Sequence, residues 1–254
     1  MSGAEAPGAP VRIAMWSGPR NISTAMMRAF ENRADAAVVD EPFYAAWLAI
    51  TGEPHPMAAE VIAAGETDPA KVAAMLVGPV PGGRTVFYQK HMTHHMIAAI
   101  PRDWTAAVTN AFLIRAPEEV IASYTDRRGR ATLADIGVVE QAEIFDAVAD
   151  RLGAAPPVID ASDVLADPAG TLSALCAACA IPFDPAMLSW PPGRRASDGV
   201  WAAHWYASVE RSTGFARPKP PVAFDALDDG QKRVAEAARP YYERLAAHRL
   251  RPAG

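Results

Sequence analysis

Short apolar segments alternate with segments of helical periodicity from residue 12 to residue 179 of this chain. Short apolar runs are typical of strands buried on both faces, and strands separated by helices form parallel sheets. The predicted strands cover 12–16, 36–39, 84–89, 110–115 and 157–160, and the predicted helices cover 23–32, 43–50, 57–65, 69–77, 93–99, 117–125, 132–152 and 168–179. The pattern therefore predicts an α/β fold in which a central parallel sheet is flanked by helices.

Beyond residue 181 this alternation ends. Pro-rich segments over 182–193 and 217–222 flank a Trp-rich segment over 200–206, and a last amphipathic helix is predicted over about 228–248. Clusters of proline favour turns and irregular backbone. We therefore expect this part of the chain to form an irregular C-terminal cap on the sheet.

Composition limits the size and the surroundings of the protein. The chain has 254 residues, of which 50% are hydrophobic and 21% are charged, so it can bury a full core. Since no repeat or linker divides it, we expect one domain over 11–254 after a disordered, Pro- and Gly-rich segment over 1–10. The net charge of −5 argues against general binding to nucleic acid or to anionic membranes. The sequence has neither a signal peptide nor an apolar run of about 18 residues, which predicts a cytoplasmic protein.

Two clusters contain residue types that ligate metals. Cys176 and Cys179 are three positions apart in an apolar segment, without a second Cys or His pair, and are predicted to be buried helical thiols. His91, His94 and His95 include an H-x-x-H spacing, but no matching Cys or additional His cluster accompanies them. We therefore predict no metal site.

The segment RIAMWSGPRNISTAMMRAF, residues 12–30, has the pattern of a strand, a tight turn and a helix N-terminus. The first N–H groups of a helix lack intrahelical partners, and the helix dipole places partial positive charge there. Arg20 adds a full charge, and Ser23 and Thr24 add hydroxyl donors, so the turn suits a phosphate-like anion. An ordinary Ser or Thr N-cap is the alternative. Gly18 is the only glycine in this turn and the Walker lysine is absent, which disfavours an ATP or GTP site.

Candidate proton acceptors follow the second and third predicted strands. Glu41 follows the second strand, and His91 follows the third beside Lys90. The carboxyl ends of parallel strands meet at one edge of a sheet, so both side chains would reach the same cleft. Either could act as a general base if its surroundings tune its pKa. Asp40 and Glu41 could instead stabilise the N-terminus of the helix predicted over 43–50.

Arginines recur at two later places. Arg115 ends the fourth predicted strand, and Ser123 lies on the helix that follows it. Arg194 and Arg195 belong to a loop with glycine and tryptophan over 193–206. Guanidinium groups suit phosphate because their planar fork can donate two hydrogen bonds. The alternatives are an ion pair at the strand end and a Trp-anchored surface loop.

Together these segments resemble the sulfotransferase family, which uses 3′-phosphoadenosine 5′-phosphosulfate (PAPS). The family's 5′-phosphosulfate loop, P-[KR]-S-G-[ST]-T, is similar to Pro19, Arg20, Asn21, Ile22, Ser23 and Thr24. Asn21 replaces the usual Ser, and Ile22 replaces the usual Gly. Arg115 and Ser123 are similar to the family's 3′-phosphate element, and Arg194 and Arg195 are loosely similar to its late basic loop. The sequence also looks like the sulfotransferase-like proteins named after branched-chain aminotransferases.

The resemblance implies a three-layer P-loop-type fold and transfer of a sulfuryl group from PAPS to a hydroxyl or amine of a small-molecule acceptor. Arg20 would stabilise the departing phosphate. The base would be Glu41, as in carbohydrate-type members, or His91, as in cytosolic ones. Aromatic residues of the 43–50 helix and of 201–206 would form the acceptor pocket, without metal, nucleic acid or membrane. An inactive nucleotide-binding relative and a P-loop small-molecule kinase are the alternatives.

Overall fold

Five parallel strands form the centre of the protein. A computed structural model describes residues 9–251. Its strands are β1 (Val11–Ser17), β2 (Ala36–Asp40), β3 (Val86–Met92), β4 (Thr109–Ile114) and β5 (Val158–Asp160). They lie in the order β2-β3-β1-β4-β5, and every neighbouring pair is parallel. The predicted α/β class and all five predicted strands are confirmed, whereas the expected disorder over 1–10 falls mainly on residues 1–8, outside the described residues.

Helices cover both faces of the sheet. The described helices are α1 (Ser23–Glu31), α2 (Tyr44–Thr51), α3 (Ala58–Ala64), α4 (Pro69–Val77), α5 (Pro117–Arg128), α6 (Leu133–Ile136), α7 (Val138–Leu152), α8 (Ala161–Ala166), α9 (Pro168–Ala178), α10 (Ala202–Trp205), α11 (Ala207–Glu210) and α12 (Asp229–Ala246). Cys176 and Cys179 are buried thiols, as predicted. None of these helices over residues 9–251 combines the length and the apolarity needed to cross a bilayer.

Two predicted helices differ from the structure. The segment 93–99 contains only one 3-10 turn, Thr93–His95. The segment 132–152 is divided into α6 and α7 at Gly137, which has a φ of 60°. A Cβ atom at Gly137 would lie 2.7 Å from the backbone nitrogen of His94. The close approach of the Thr93–His95 turn thus requires glycine here, and glycine also tolerates the left-handed conformation that breaks the helix.

The core has two halves because side chains alternate between the faces of each strand. In β1, Ile13 and Met15 pack with α1, α8 and α9, whereas Ala14 and Trp16 pack with α2, α7 and the end of α12. Burial on both faces explains why the strands are apolar without a polar alternation. The arrangement leaves the carboxyl edge of the sheet to be covered by loops.

The C-terminal cap is irregular, as predicted, and is anchored to α1. The guanidinium group of Arg28 donates a hydrogen bond of 2.7 Å to the carboxylate of Asp198 in the cap. Both side chains are almost completely buried. A buried ion pair leaves an uncompensated charge when one partner is removed. The pair therefore connects the cap to the helix whose N-terminus meets the edge of the sheet.

Candidate functional site

A cavity of about 490 Å³ opens at the carboxyl edge of the sheet. Residues at or just after the end of each of the five strands contribute to its wall: Pro19 to Thr24 after β1, Glu41 after β2, Lys90 and Met92 in β3, Arg115 after β4 and Ser162 after β5. The strands β2 and β3, which follow β1 in the chain, lie on one side of β1 in the sheet. The next strand, β4, lies on the other side of β1. Ligands of open α/β sheets bind at such a switch point. The cavity is therefore the candidate functional site.

The turn from β1 to α1 contains two residues in the left-handed conformation. Arg20 has a φ of 63° and Ile22 has a φ of 56°. This conformation costs about 1–2 kcal/mol for each non-glycine residue. Two hydrogen bonds hold the turn: Arg115 donates to the Arg20 carbonyl at 2.7 Å, and the Asn21 amide donates to the Leu113 carbonyl at 3.3 Å. The backbone of the turn is thus fixed by its neighbours before any ligand binds.

The N-terminus of α1 has no side-chain cap among residues 9–251. Ile22 occupies the N-cap position, and Ser23 and Thr24 lie within the first turn. The alternative prediction of an ordinary Ser or Thr N-cap is therefore wrong, because neither hydroxyl caps this helix. Ile22, Ser23 and Thr24 all line the cavity. The free N–H groups and hydroxyls of this turn are suited to an anion.

Guanidinium groups converge beside this turn. Arg20 Nε donates to Ser123 Oγ at 2.9 Å, so the structure brings together two residues predicted for the cofactor site. Arg115 lines the same cavity, where its Nε lies 2.6 Å from Glu119 Oε2. Burial lowers the pKa of Arg20, and the nearby charges of Arg127 and Arg115 lower it further. An anion placed among these groups would relieve their mutual repulsion.

A buried cluster of four polar side chains lies at the carboxyl ends of β2 and β3, and three of them, Glu41, Lys90 and Tyr206, form the floor of the cavity. Lys90 Nζ lies 2.8 Å from Asp40 Oδ1, 2.5 Å from Glu41 Oε1 and 2.8 Å from Tyr206 Oη. Asp40 and Lys90 are register partners in neighbouring strands, which places their side chains on the same face. Burial raises the pKa of Glu41 despite the attraction of Lys90. Burial opposes the charge of Lys90, yet Asp40 and Glu41 raise its pKa well above the usual value.

His91 lies in the aromatic core and outside the cavity wall. Because side chains alternate along a strand, Lys90 and His91 point to opposite faces of β3. The His91 ring stacks on Trp16 at 4.5 Å and lies 5.1 Å from Trp104. Burial, followed by the charge of Lys90, lowers the pKa of His91 to about 3. The structure therefore brings Glu41, and not His91, to the predicted site.

The predicted basic loop also lies elsewhere. Arg194 is exposed, and Arg195 Nε lies 3.9 Å from Glu31 Oε2 at the far end of α1. Two other cations of the cap, Arg217 and Lys219, line the cavity instead. They lie in the second Pro-rich segment. Its irregular backbone has no periodicity from which the direction of a side chain could be predicted. The sequence feature that could have indicated these two residues is the alternation of cations with prolines over 217–220.

Flat, uncharged side chains form another part of the cavity wall, which we call the aromatic wall: Tyr44, His55, His94, His95 and Trp205. The rings of Tyr44 and His95 stack at 4.8 Å, and those of His55 and Trp205 are 6.0 Å apart. Burial is the main cause that lowers the pKa of His55 to about 4 and of His94 to about 3. Over residues 9–251, no three His, Cys, Asp or Glu side chains are arranged to hold a metal ion.

Three of the predicted aromatic residues do not line the cavity. Phe43 and Trp47 of the 43–50 segment belong to the buried core, and Trp201 of the cap packs against it. Tyr44 from the same segment, and Trp205 and Tyr206 from the cap, do line the cavity as expected.

The site defines a class of α/β protein in which a helix N-terminus and several cations suit an anionic ligand at the carboxyl edge of the sheet. A family model described as a sulfotransferase domain matches residues 11–249. The chain therefore belongs to the sulfotransferase-domain family.

Solved structures of this family share the fold. The sulfotransferase domain from the curacin biosynthetic pathway is 18% identical, with a TM-score of 0.54 over 91% of this chain and 98% of that one. A sulfotransferase from Alicyclobacillus acidocaldarius is 12% identical, with a TM-score of 0.52 over 96% of this chain and 98% of that one. At these identities the likeness shows the fold.

Two curated plant proteins are more similar in sequence. Branched-chain-amino-acid aminotransferase-like protein 1 of Arabidopsis thaliana is 36% identical over 83% of this chain. Branched-chain-amino-acid aminotransferase-like protein 2 of the same plant is 32% identical over 93% of this chain. The matched region spans 37% and 41% of those two proteins, so the chain corresponds to less than half of each.

Proposed function

We propose that this protein is a sulfotransferase that moves a sulfuryl group from PAPS to a hydroxyl or amine of a small-molecule acceptor. One observation carries the proposal: an uncapped helix N-terminus, the Arg20–Ser123 pair and the carboxylate of Glu41 line the same cavity. The first two suit the anionic donor, and the third suits the proton of the acceptor.

The cations that line the cavity suit a doubly phosphorylated nucleotide. Four cations besides Arg128 line it with no carboxylate at ion-pair distance among residues 9–251: Arg20, Arg127, Arg217 and Lys219. This local excess of positive charge occurs in a chain whose net charge is −5. A cleft of one sign concentrates ligands of the opposite sign.

We call the α1 N-terminus with Arg20 and Ser123 the donor end of the cavity, and the aromatic wall its acceptor end. The donor-end residues would divide between two anionic groups. The N–H groups of the first turn of α1, with Arg20, would hold the 5′-phosphosulfate. Arg115 and Ser123 would hold the 3′-phosphate, with Arg217 and Lys219 of the cap in place of the predicted Arg194 and Arg195. Arg115 has a second task, since it also fixes the left-handed turn through the Arg20 carbonyl.

When bound, PAPS supplies a sulfuryl group, whose bond to the 5′-phosphate oxygen breaks as the acceptor atom bonds to sulfur, the electron pair leaving with adenosine 3′,5′-bisphosphate. Glu41 accepts the proton that the acceptor loses. Its raised pKa brings this carboxylate closer to the range useful for a general base. Lys90 stays held by Asp40 and Tyr206 when Glu41 takes the proton. Arg20 stabilises the charge that develops on the phosphate.

A catalytically inactive nucleotide-binding protein is the second candidate. Ile22 favours it, because this residue lines the cavity at the position where the family's glycine lets the backbone approach the ligand. The left-handed φ of Ile22 shows that the backbone of the turn has a conformation that glycine adopts readily.

Calorimetric titration separates these candidates from a kinase. We expect adenosine 3′,5′-bisphosphate to bind and to raise the melting temperature. Mg-ATP serves as the comparison ligand, and stabilisation by Mg-ATP alone would contradict a PAPS site. Incubation with sulfur-35-labelled PAPS and a panel of acceptors then distinguishes an active enzyme from a binding protein, because only the former transfers the label.

A further inference from the structure

Arg128 places a cation at the acceptor end of the cavity. It is the last residue of α5, and its guanidinium carbon lies 5.8 Å from the centre of the Trp205 ring. The Trp205 ring is in turn 6.0 Å from His55. Arg128 lines the cavity, and no carboxylate within residues 9–251 forms an ion pair with it.

The position of Arg128 on α5 separates it from the donor end. Ser123, which accepts the hydrogen bond from Arg20, precedes Arg128 by five positions on the same helix. At 1.5 Å of rise per residue, the two positions are about 7.5 Å apart along the helix axis. Arg128 therefore belongs with the aromatic wall, whereas Ser123 belongs with the phosphate-binding turn.

The charges around the aromatic wall determine which charge on an acceptor is favoured. Tyr44, His55, His94, His95 and Trp205 are neutral near pH 7, because burial keeps the imidazoles deprotonated. Burial lowers the pKa of His55, and the charge of Arg128 lowers it further. A cationic acceptor would meet Arg127, Arg128 and Lys90, whereas an anionic one would gain a guanidinium partner. Stacked rings favour a planar acceptor body.

We propose that the acceptor is a planar aromatic hydroxyl compound bearing a carboxylate, and that Arg128 binds this carboxylate. The proposal rests on the proposed sulfotransferase function and defines its acceptor class. The ring lies against Tyr44, His55 and Trp205, and the hydroxyl points to Glu41 at the floor of the cavity.

Binding to the intact protein tests this assignment without any turnover. The protein is saturated with adenosine 3′,5′-bisphosphate and titrated by calorimetry with 4-hydroxybenzoate, its neutral isostere 4-hydroxybenzamide, and the cation tyramine. We expect the benzoate to bind at least tenfold more tightly than the amide, and tyramine to bind most weakly. Arg128→Gln should weaken benzoate binding by about 10- to 100-fold, the loss typical of a charge-assisted hydrogen-bonded pair, and should leave amide binding unchanged.

Arg130→Gln provides the matched control, because Arg130 is an exposed arginine just after α5. It should not alter benzoate binding. Equal affinity for benzoate and amide would overturn the proposal. So would an Arg128→Gln variant that loses bisphosphate affinity but keeps its preference for benzoate, since Arg128 would then serve the donor. If the wild type does not bind the bisphosphate, the sulfotransferase function fails, and the same titrations without nucleotide still test Arg128.

Discussion

Tyr206 of the C-terminal cap donates a hydrogen bond of 2.7 Å to Asp40 at the end of β2. The same hydroxyl accepts a hydrogen bond of 2.8 Å from Lys90 in β3. Tyr206 thus connects the irregular cap to the buried polar cluster to which Glu41 also belongs. Since the cluster is buried, each of its members depends on the others for hydrogen bonds.

Removal of the Tyr206 hydroxyl should therefore weaken the whole protein. We expect Tyr206→Phe to lower the free energy of unfolding by about 1–3 kcal/mol, because Asp40 and Lys90 each lose a buried partner. Urea denaturation followed by circular dichroism measures this loss. Tyr241→Phe on α12 is the control, because no hydrogen bond of the Tyr241 hydroxyl is present among the described residues. Equal effects of the two substitutions would contradict the role of the cluster.

Glu41 and His91 should differ sharply in their effect on catalysis. We expect Glu41→Gln to lower kcat by about 10²- to 10⁴-fold, the usual contribution of a general base, while the affinity for adenosine 3′,5′-bisphosphate stays unchanged. His91→Gln should keep kcat within a few-fold of the wild type, because the His91 ring packs against Trp16 away from the cavity. Sulfur-35 transfer assays at saturating acceptor measure both values. The reverse pattern would show that His91 is the base.

Glu119 should oppose nucleotide binding. Its carboxylate pairs with Arg115 at 2.6 Å at the cavity wall, so Glu119→Gln removes a negative charge that would repel the proposed 3′-phosphate. We expect the bisphosphate to bind several-fold more tightly to this variant, with the gain reduced at high salt. Glu118→Gln is a control at the adjacent position, since Glu118 pairs with Arg239 instead. Weaker binding by Glu119→Gln would mean that the carboxylate is needed to orient Arg115.

The buried histidines should make the protein sensitive to acid. The pKa of His91 is about 3 in the folded state, below the usual value of about 6.5 expected for the unfolded chain. The unfolded state therefore binds more protons, and the free energy of unfolding falls as pH decreases from about 6.5. Each such group contributes at most about 1.4 kcal/mol per pH unit. In urea titrations at pH 7, 6 and 5, His91→Gln should lose stability less steeply than the wild type.

Much of the fold could be predicted because it depends on local patterns. The apolar runs 13–16 and 111–114 contain no charge and form the centres of two predicted strands, which indicates burial on both faces. The turn after β1 was also readable, since Arg20, Ser23 and Thr24 follow a strand and precede a helix. The pairing of Arg20 with Ser123 then confirmed that two distant segments meet at one edge.

The break at Gly137 illustrates the opposite case. Periodicity continues through 132–152, and glycine alone would only weaken a helix. The helix breaks there because Gly137 adopts a left-handed φ of 60°, and the close Thr93–His95 turn leaves no space for any residue with a Cβ atom. A contact between segments so far apart in the sequence has no local signal.

The order of the strands and most of the helices, the candidate anion-binding turn after β1 and the candidate bases could be predicted from the sequence. These features depend on residues close in the chain, where hydrophobic periodicity and helix-end chemistry act. The tertiary structure was needed to place Glu41 at the cavity and His91 on Trp16, and to show that Arg217 and Lys219, unlike Arg194 and Arg195, line the cavity. The face on which a strand side chain meets a cleft, and the path of an irregular cap, are set by packing between distant segments.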